Sequence, residues 1–161
     1  MAVNPVPEGY RTITPYLTVK GAAEAIEWYK KAFGAQEIAR MPMPDGRLMH
    51  AEIKIGDSFI MLGDEFPEMG GNKSPQTLGG TTSGLHIYVS DCDALFKRAV
   101  EAGATPKMPP MDMFWGDRFG KLGDPFGHDW SVGTHIEDVS DAEMQRRTRE
   151  AAAQMGAGAK K

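Results

Sequence analysis

Two histidines and a glutamate stand where they could do chemistry. His50 and Glu52 lie two residues apart in the alternating segment LMHAEIKI, and His86 lies in the apolar segment GLHIYV. Two imidazoles and a carboxylate are adequate donors for a divalent metal, and they could also form a general acid/base pair. Two other interpretations stay open. The three side chains could hydrogen-bond a ligand, or they could be polar residues on a wet strand face.

The elements that must position these side chains occur twice along the chain. Residues 19–35 (VKGAAEAIEWYKKAFGA) and 89–104 (VSDCDALFKRAVEAGA) each read as a strand end, a break, an amphipathic helix and a glycine stop. A second echo aligns IGDSFIML with FGHDWSV at an offset of 71 residues. A unit of this length exceeds solenoid repeats, so we interpret the chain as two fused copies of one module. Two such half-sheets can enclose a cleft.

Strand alternation predicts which side chains face that cleft. In residues 47–55 the apolar odd-numbered positions, Met49 among them, should pack on helices and leave the even-numbered ones toward the cleft. The same alternation leaves His86 and Tyr88 facing inward, and their neighbours follow from the repeat. The predicted ligand-binding residues are Tyr16, His50, Glu52, Ile60, His86, Tyr88 and Ser131 on the wall, with Trp115 (beside Phe114) and Arg118 from the loop and turn near its rim. No residue is assigned a catalytic role.

Arg118 follows Asp117 in the segment WGDRFG. Its guanidinium suits an anionic group on a ligand, because the planar fork matches carboxylate or phosphate. Alternatively, Asp117 and Arg118 form an ion pair within a turn or at a dimer contact.

Apolar spacing predicts a first helix over residues 22–33, stopped by Gly34, and a second helix capped by Asp91. A capping-box pattern predicts a third over residues 140–154. Short β-branched and alternating segments supply the strands, in the order β-α-β-β-β, twice. The expected fold class is therefore α+β. The expected divisions are one domain over 10–137, made of module one (10–66), a linker (67–81) and module two (82–137), then a C-terminal helix and disordered tail (138–161).

Composition bounds the partners and the compartment. The chain has 161 residues, a net charge of −4 and one cysteine. The acidic balance argues against nucleic acid, whose binding depends on clustered Lys and Arg. No apolar run is long enough to span a bilayer, and the first residues do not read as a signal peptide. Since lone Cys92 cannot form an internal disulfide, we expect a cytoplasmic protein.

Three stretches carry a family resemblance. They are TPYLTVKGAAEAIEWYKKAFGAQ, PDGRLMHAEIKIGDSFIMLGDE and FWGDRFGKLGDPFGHDWSVGTHIEDV. Over about residues 10–140 the chain resembles the vicinal oxygen chelate superfamily, which includes glyoxalase I, extradiol dioxygenases and bleomycin resistance proteins, and within it the PhnB-like branch. The resemblance implies two βαβββ modules whose curved mixed sheets form a cup, and a homodimer as the usual assembly.

The resemblance also implies four metal-ligand positions. Matching the motifs places them at Thr14, Ile60, Gly84 and Ser131. These offer at best two neutral hydroxyls, whereas a divalent metal needs three or four imidazole, carboxylate or thiolate donors. We therefore expect no metal at the family position.

Two functions follow as hypotheses. The first is a metal-independent, cofactor-free small-molecule-binding protein that holds a flat or amphipathic ligand in the cup. The alternative is a glyoxalase-like lyase, isomerase or dioxygenase, with one divalent metal held by His50, Glu52 and His86. The sequence favours the non-catalytic binder and leaves the question of catalysis open. The expected partners are a small molecule and a second copy of the chain, without nucleic acid or membrane.

Overall fold

The computed structural model describes residues 3–158 and confirms two βαβββ modules. Module one consists of β1 (Tyr16–Val19), α1 (Ala22–Phe33), β2 (Gln36–Pro42), β3 (Leu48–Ile55) and β4 (Ser58–Asp64). Module two consists of β5 (Gly84–Tyr88), α3 (Cys92–Glu101), β6 (Thr105–Asp112), β7 (Asp117–Gly123) and β8 (Asp129–His135). Between them lie a 3-10 turn (Pro67–Met69) and the short helix α2 (Pro75–Leu78).

Each module builds one four-stranded mixed sheet. The strand orders are β1-β4-β3-β2 in sheet one and β5-β8-β7-β6 in sheet two. The first strand of each module runs parallel to the last, and the other pairs are antiparallel. In both sheets the first strand is therefore an edge.

The two long helices form where periodicity predicts them. Helix α1 ends at Gly34, whose left-handed φ of 70° lets its N–H reach the carbonyl of Lys30. Helix α3 begins at Asp91, whose carboxylate accepts the N–H of Ala94 at 2.9 Å. The apolar face of α1 is buried, and with the inner face of α3 it belongs to one core that spans both modules.

The modules are joined through this helix layer. Tyr29 and Phe33 of α1 contact the ring of Trp130 on β8, at centroid distances of 5.6 and 4.8 Å. The Nε1 of Trp28 donates to the carbonyl of Ala102 at 2.9 Å. Helix α1 therefore packs on its own sheet and on residues of the other module.

The expectations for two local features are wrong. His128 was expected in a solvated turn, but it is 8% exposed, and its Nε2 lies 3.1 Å from the carbonyl oxygen of Thr18 in module one. Helix α4 spans Asp141–Gly158, beyond its expected end at residue 154. Of the expected disordered tail, residues 159–161 lie outside the described part of the chain.

Among the helices of the described residues, none is long and apolar enough to cross a membrane.

Candidate functional site

Each sheet has an outer face that points away from the helices. On sheet one this face carries Tyr16, His50 and Glu52, while the alternate residues Leu17, Ala51, Ile53 and Leu62 are buried in the core. On sheet two the outer face carries His86, Tyr88, Phe119 and Ser131, while Trp130 and Val132 face the core. We call these the sheet-one face and the sheet-two face.

The prediction that Ile60 lies beside Tyr16 and His50 is wrong. Ile60 is 5% exposed and pairs with buried Ile53 on the core side of sheet one. Met61 takes the outward position, because β1 pairs Tyr16 with Met61 as β5 pairs His86 with Ser131. The last strands therefore correspond at an offset of 70 residues and not 71, and a shift of one residue exchanges the faces.

Met49 also differs from expectation. It is 45% exposed, whereas its neighbour Leu48 is 2% exposed and faces the core. The pairing of β2 with β3 has an irregularity between Met41 and Pro42, at the level of these residues. Such an irregularity shifts the alternation, so the start of β3 has the opposite phase from its end.

Glu52 is the centre of the sheet-one face. Its Oε1 lies 3.1 Å from Nε2 of His50, and its Oε2 accepts a hydrogen bond from the hydroxyl of Tyr10, which comes from the segment before β1. The Nδ1 of His50 lies 3.4 Å from the hydroxyl of Tyr16. The ring of Tyr10 stacks on Phe59 with centroids 4.3 Å apart. These five side chains form one hydrogen-bonded aromatic cluster.

The hydrogen bonds fix the charge state of this cluster. Those from Tyr10 and His50 lower the pKa of Glu52, so this side chain is a carboxylate at neutral pH. Burial, followed by the interaction with Glu52, raises the pKa of Tyr10 to about 12, which keeps the phenol protonated. The face therefore offers an anionic acceptor to hydroxyl or N–H donors.

The sheet-two face is a contiguous aromatic surface. The ring of His86 lies 4.4 Å from that of Tyr88 and stacks on Phe119 at 5.7 Å with an interplanar angle of 13°. Trp115 continues the surface, with its ring 5.5 Å from Phe119. The Nδ1 of His86 lies 2.7 Å from Oγ of Ser131, which fixes the imidazole. Burial lowers the pKa of His86, so this ring is neutral at physiological pH.

Asp117 holds the rim of this surface from below. It is 6% exposed, and its Oδ2 accepts from the hydroxyl of Tyr88 at 2.8 Å and from Nε1 of Trp115 at 3.2 Å. Its Oδ1 lies 2.9 Å from Nδ1 of His135. Burial by itself would raise the pKa of Asp117, but the hydrogen bonds from His135, Tyr88 and Trp115 outweigh it and lower the pKa. One buried carboxylate thus orients the two exposed aromatic rings Tyr88 and Trp115.

Glycines at matching repeat positions make room for rings on both faces. A Cβ on Gly133 would lie 3.0 Å from the imidazole of His86 and 3.4 Å from the ring of Tyr88. A Cβ on Gly63, at the corresponding position of β4, would lie 3.0 Å from the hydroxyl of Tyr16. Larger residues at either position would push these rings off the sheet.

Arg118 faces away from this surface. Its Nη2 lies 2.8 Å from Asp93 at the start of α3, and its Nη1 lies 2.9 Å from Asp112 on β6. Strand alternation explains this orientation, because Asp117 and Phe119 on either side of it take the sheet-two face. The expected placement of Arg118 beside the ligand-binding wall is wrong, and the ion-pair interpretation agrees with the contacts.

The two faces of one chain do not meet. In the part of the chain that the structure describes, each hydrogen bond and ring contact between the modules comes from the helix side or from the adjoining turns. None involves the outward side chains of either sheet. A groove of about 800 Å³ lies between the modules along β5, lined by His86 and Tyr88 from β5 and by Thr14, Pro15 and Phe59 from module one.

The donors do not fit a metal within one chain. His50 and Glu52 bond to each other on sheet one, whereas His86 bonds to Ser131 on sheet two. Over residues 3–158 no group of three or more His, Cys, Asp or Glu side chains is arranged to hold a metal ion. At the four positions that the resemblance implies, Ile60 is in the core, and Thr14, Gly84 and Ser131 provide no nitrogen, carboxylate or thiolate donor.

Sequence reasoning missed Tyr10, Phe59, Phe119 and the central role of Asp117. Phe119 has a signal in the sequence, since it alternates with Gly120 on a predicted strand. Tyr10 has none, because its partner Glu52 is 42 residues away.

Comparison with known proteins agrees with this architecture. The family model described as the Glyoxalase/Bleomycin resistance protein/Dioxygenase superfamily matches residues 11–132, and the chain belongs to this superfamily. An uncharacterized protein of Mycobacterium tuberculosis is 46% identical over 147 residues, which cover 90% of this chain and 84% of that protein.

Two solved structures show the same fold. TioX from Micromonospora sp. ML1 is 24% identical with a TM-score of 0.60, and the match covers 81% of this chain and all of TioX. A putative 3-demethylubiquinone-9 3-methyltransferase, the PhnB protein from Bacillus cereus, is 19% identical with a TM-score of 0.61, over 77% of this chain and 99% of that protein. At these identities the likeness concerns the fold, and the fold alone does not define an activity.

Proposed function

We propose that this protein binds a flat, largely apolar small molecule against its outer sheet faces, without a metal ion and without catalysing a reaction. The observation that carries the proposal is the sheet-two face, where His86, Tyr88, Phe119 and Trp115 form a continuous ring surface and Tyr88 is 62% exposed. An exposed aromatic surface held by a buried carboxylate suits stacking on a planar ligand. The neutral imidazole of His86 and the carboxylate of Glu52 would set the ligand's orientation.

The proposal includes a second copy of the chain. Since the two faces of one chain do not contact each other, a cup that encloses a ligand would combine the sheet-one face of one copy with the sheet-two face of the other. The unpaired edges of β1 and β5 support this arrangement, because exposed strand edges are usually covered in native proteins. We also place the protein in the cytoplasm, on the support of the single buried Cys92.

Binding of planar probes tests the ligand class. We expect quinoline or acridine to raise the melting temperature and to quench the fluorescence of Trp115, with Trp115→Phe as the control for signals from buried Trp28 and Trp130. A probe at 100 times its dissociation constant should add about 2.7 kcal/mol to the unfolding free energy. His86→Ala should abolish the effect, while Lys97→Ala, on the exposed side of α3, should retain it. Quenching that survives His86→Ala would contradict the proposal.

Mixing two variants tests whether the cup lies across two chains. Tyr16→Ala damages the sheet-one face and Tyr88→Ala damages the sheet-two face. In a mixed dimer, one cup carries both changes and the other carries none. The mixture should therefore recover up to half of the wild-type binding stoichiometry, although each variant alone binds poorly. No recovery in a mixture shown to contain mixed dimers would mean that each cup lies within one chain.

Metal titration tests the alternative, a glyoxalase-like lyase, isomerase or dioxygenase. The donors of one chain do not support it. We expect Zn, Ni, Mn and Fe to leave the melting temperature unchanged. A stoichiometric metal in the purified protein that is lost in both His50→Ala and His86→Ala would overturn the metal-independent proposal.

A further inference from the structure

The sheet-one face already holds a phenol, and that phenol belongs to the chain itself. The ring of Tyr10 stacks on Phe59 with centroids 4.3 Å apart and an interplanar angle of 27°, and its hydroxyl donates to Glu52. Gly9 fits closely beside it, since a Cβ there would lie 2.8 Å from the ring of Phe59. We call Glu52, His50 and Phe59 the phenol seat.

The seat is suited to an aromatic hydroxyl. Glu52 is ionised and accepts two hydrogen bonds, one from His50 at 3.1 Å and one from the phenol. Hydrogen bonds to a charged acceptor are stronger than neutral ones. Phe59 supplies a partner for a stacked ring beside this acceptor. Both recognition elements are needed to hold a phenol, and either alone would be less selective.

The occupying segment is weakly anchored. Residues 3–9 are all exposed, and Tyr10 is the first half-buried side chain of the described chain. A segment with so few buried contacts opens at low cost compared with global unfolding. Tyr10 can therefore leave the seat while the sheet remains intact.

The seat is not a by-product of the duplication. Glu52 pairs with Met61 as Lys121 pairs with Ser131, so sheet two has a lysine where the seat has its carboxylate. Phe59 pairs with Lys54 as Asp129 pairs with Gly123, so the stacking ring is replaced by a carboxylate. Only one of the two faces carries the chemistry for a phenol, within the described residues.

We propose that the phenol seat is a binding site for the hydroxyl-bearing ring of an aromatic ligand, and that Tyr10 occupies it when this ligand is absent. The inference rests on the proposed function and narrows the ligand to a phenolic compound. It also assigns the two faces different tasks: the sheet-two face stacks the flat body, and the seat reads the hydroxyl.

The matched probes p-cresol and toluene test the seat, because they differ only in the hydroxyl. Tyr10→Ala empties the seat. We expect p-cresol to bind this variant at least about ten-fold more tightly than wild type, since it no longer competes with the chain's own ring. Toluene should bind the variant about ten-fold more weakly than p-cresol does, because it lacks the donor to Glu52. Adding Glu52→Gln should remove the difference between the two probes.

A measurement on the wild-type chain covers the case in which Tyr10→Ala does not fold. Saturating p-cresol should lift the segment and speed trypsin cleavage after Arg11, whereas toluene should not. Equal cleavage with and without p-cresol, or equal affinity of the two probes for Tyr10→Ala, would overturn the seat. The proposed function has separate readouts, quinoline and His86, so it survives failure of the seat.

Discussion

The hydroxyl of Tyr29 donates to the carboxylate of Asp124 at 2.7 Å, across the joint between the two modules. Both side chains are buried. Asp124 also accepts from Nε1 of Trp130 and from the backbone N–H groups of Phe126 and His128, at 2.8 to 2.9 Å. A single carboxylate thereby ties α1 of module one to the β7–β8 turn of module two.

Removing this hydrogen bond should separate the contribution of the joint from that of the core. Tyr29→Phe should lower the unfolding free energy by about 1–3 kcal/mol, because it leaves a buried charged acceptor with one partner fewer. Asp124→Ala should cost about 3–5 kcal/mol, since four buried donors lose their acceptor. Urea denaturation measures both. Tyr16→Phe, whose exposed hydroxyl makes only contacts of 3.4 Å, is the control and should change stability little.

Gly133 should be required for the position of His86. Gly133→Ala places a methyl group 3.0 Å from the imidazole and should push it off the sheet-two face. The pKa of His86, which burial lowers, should then rise toward its ordinary value as the ring becomes solvated, and quinoline binding should fall. An NMR titration of the His86 ring protons follows this directly. Gly80→Ala, at a glycine with open space around it, should leave both properties unchanged.

The two outer histidines should give stability opposite dependences on pH. Hydrogen bonds from Asp138 and Asp117 raise the pKa of His135 above 6.5, so its contribution is present below 6.5 and is lost as the pH rises through the folded value. Burial lowers the pKa of His86, so the folded state loses stability as the pH falls below 6.5.

Urea denaturation between about pH 5 and pH 9 checks these signs. His135→Asn should remove a loss of stability on the alkaline side, and His86→Asn should remove one on the acidic side. If His135→Asn flattened the acidic side, the assignment of its partners would be wrong.

The helices and the duplication were predictable because they depend on local sequence. The spacing from Ala22 to Phe33 fixes a helical face, and Gly34 adopts the left-handed conformation that stops it. The outward positions of His50, Glu52, His86 and Ser131 follow from alternation on strands whose phase is read correctly. The metal-ligand mismatch also follows from residue types alone.

The remaining features depend on pairings that the sequence does not display. Aligning Gly56 with Gly127 equates turns of different length, because β3 and β4 are joined by two residues and β7 and β8 by five. That mismatch misplaced Ile60. The contacts of Tyr10 with Glu52 and of Asp117 with Tyr88 link segments 42 and 29 residues apart, and nothing in the local pattern marks them.

A pair of neighbouring substitutions tests the corrected face of β4. Ile60 packs in the core with Ile53, so Ile60→Ala should lower the unfolding free energy by about 2–5 kcal/mol through lost burial and the resulting cavity. Met61 lies half-buried on the sheet-one face beside Glu52, so Met61→Ala should cost less than about 1.5 kcal/mol. Urea denaturation at constant m-value compares them. The reverse order would put Ile60 outward, and the last strands would then correspond at 71 residues; the expected order fixes the offset at 70, the register that sets Ser131 beside His86 and Met61 beside Tyr16.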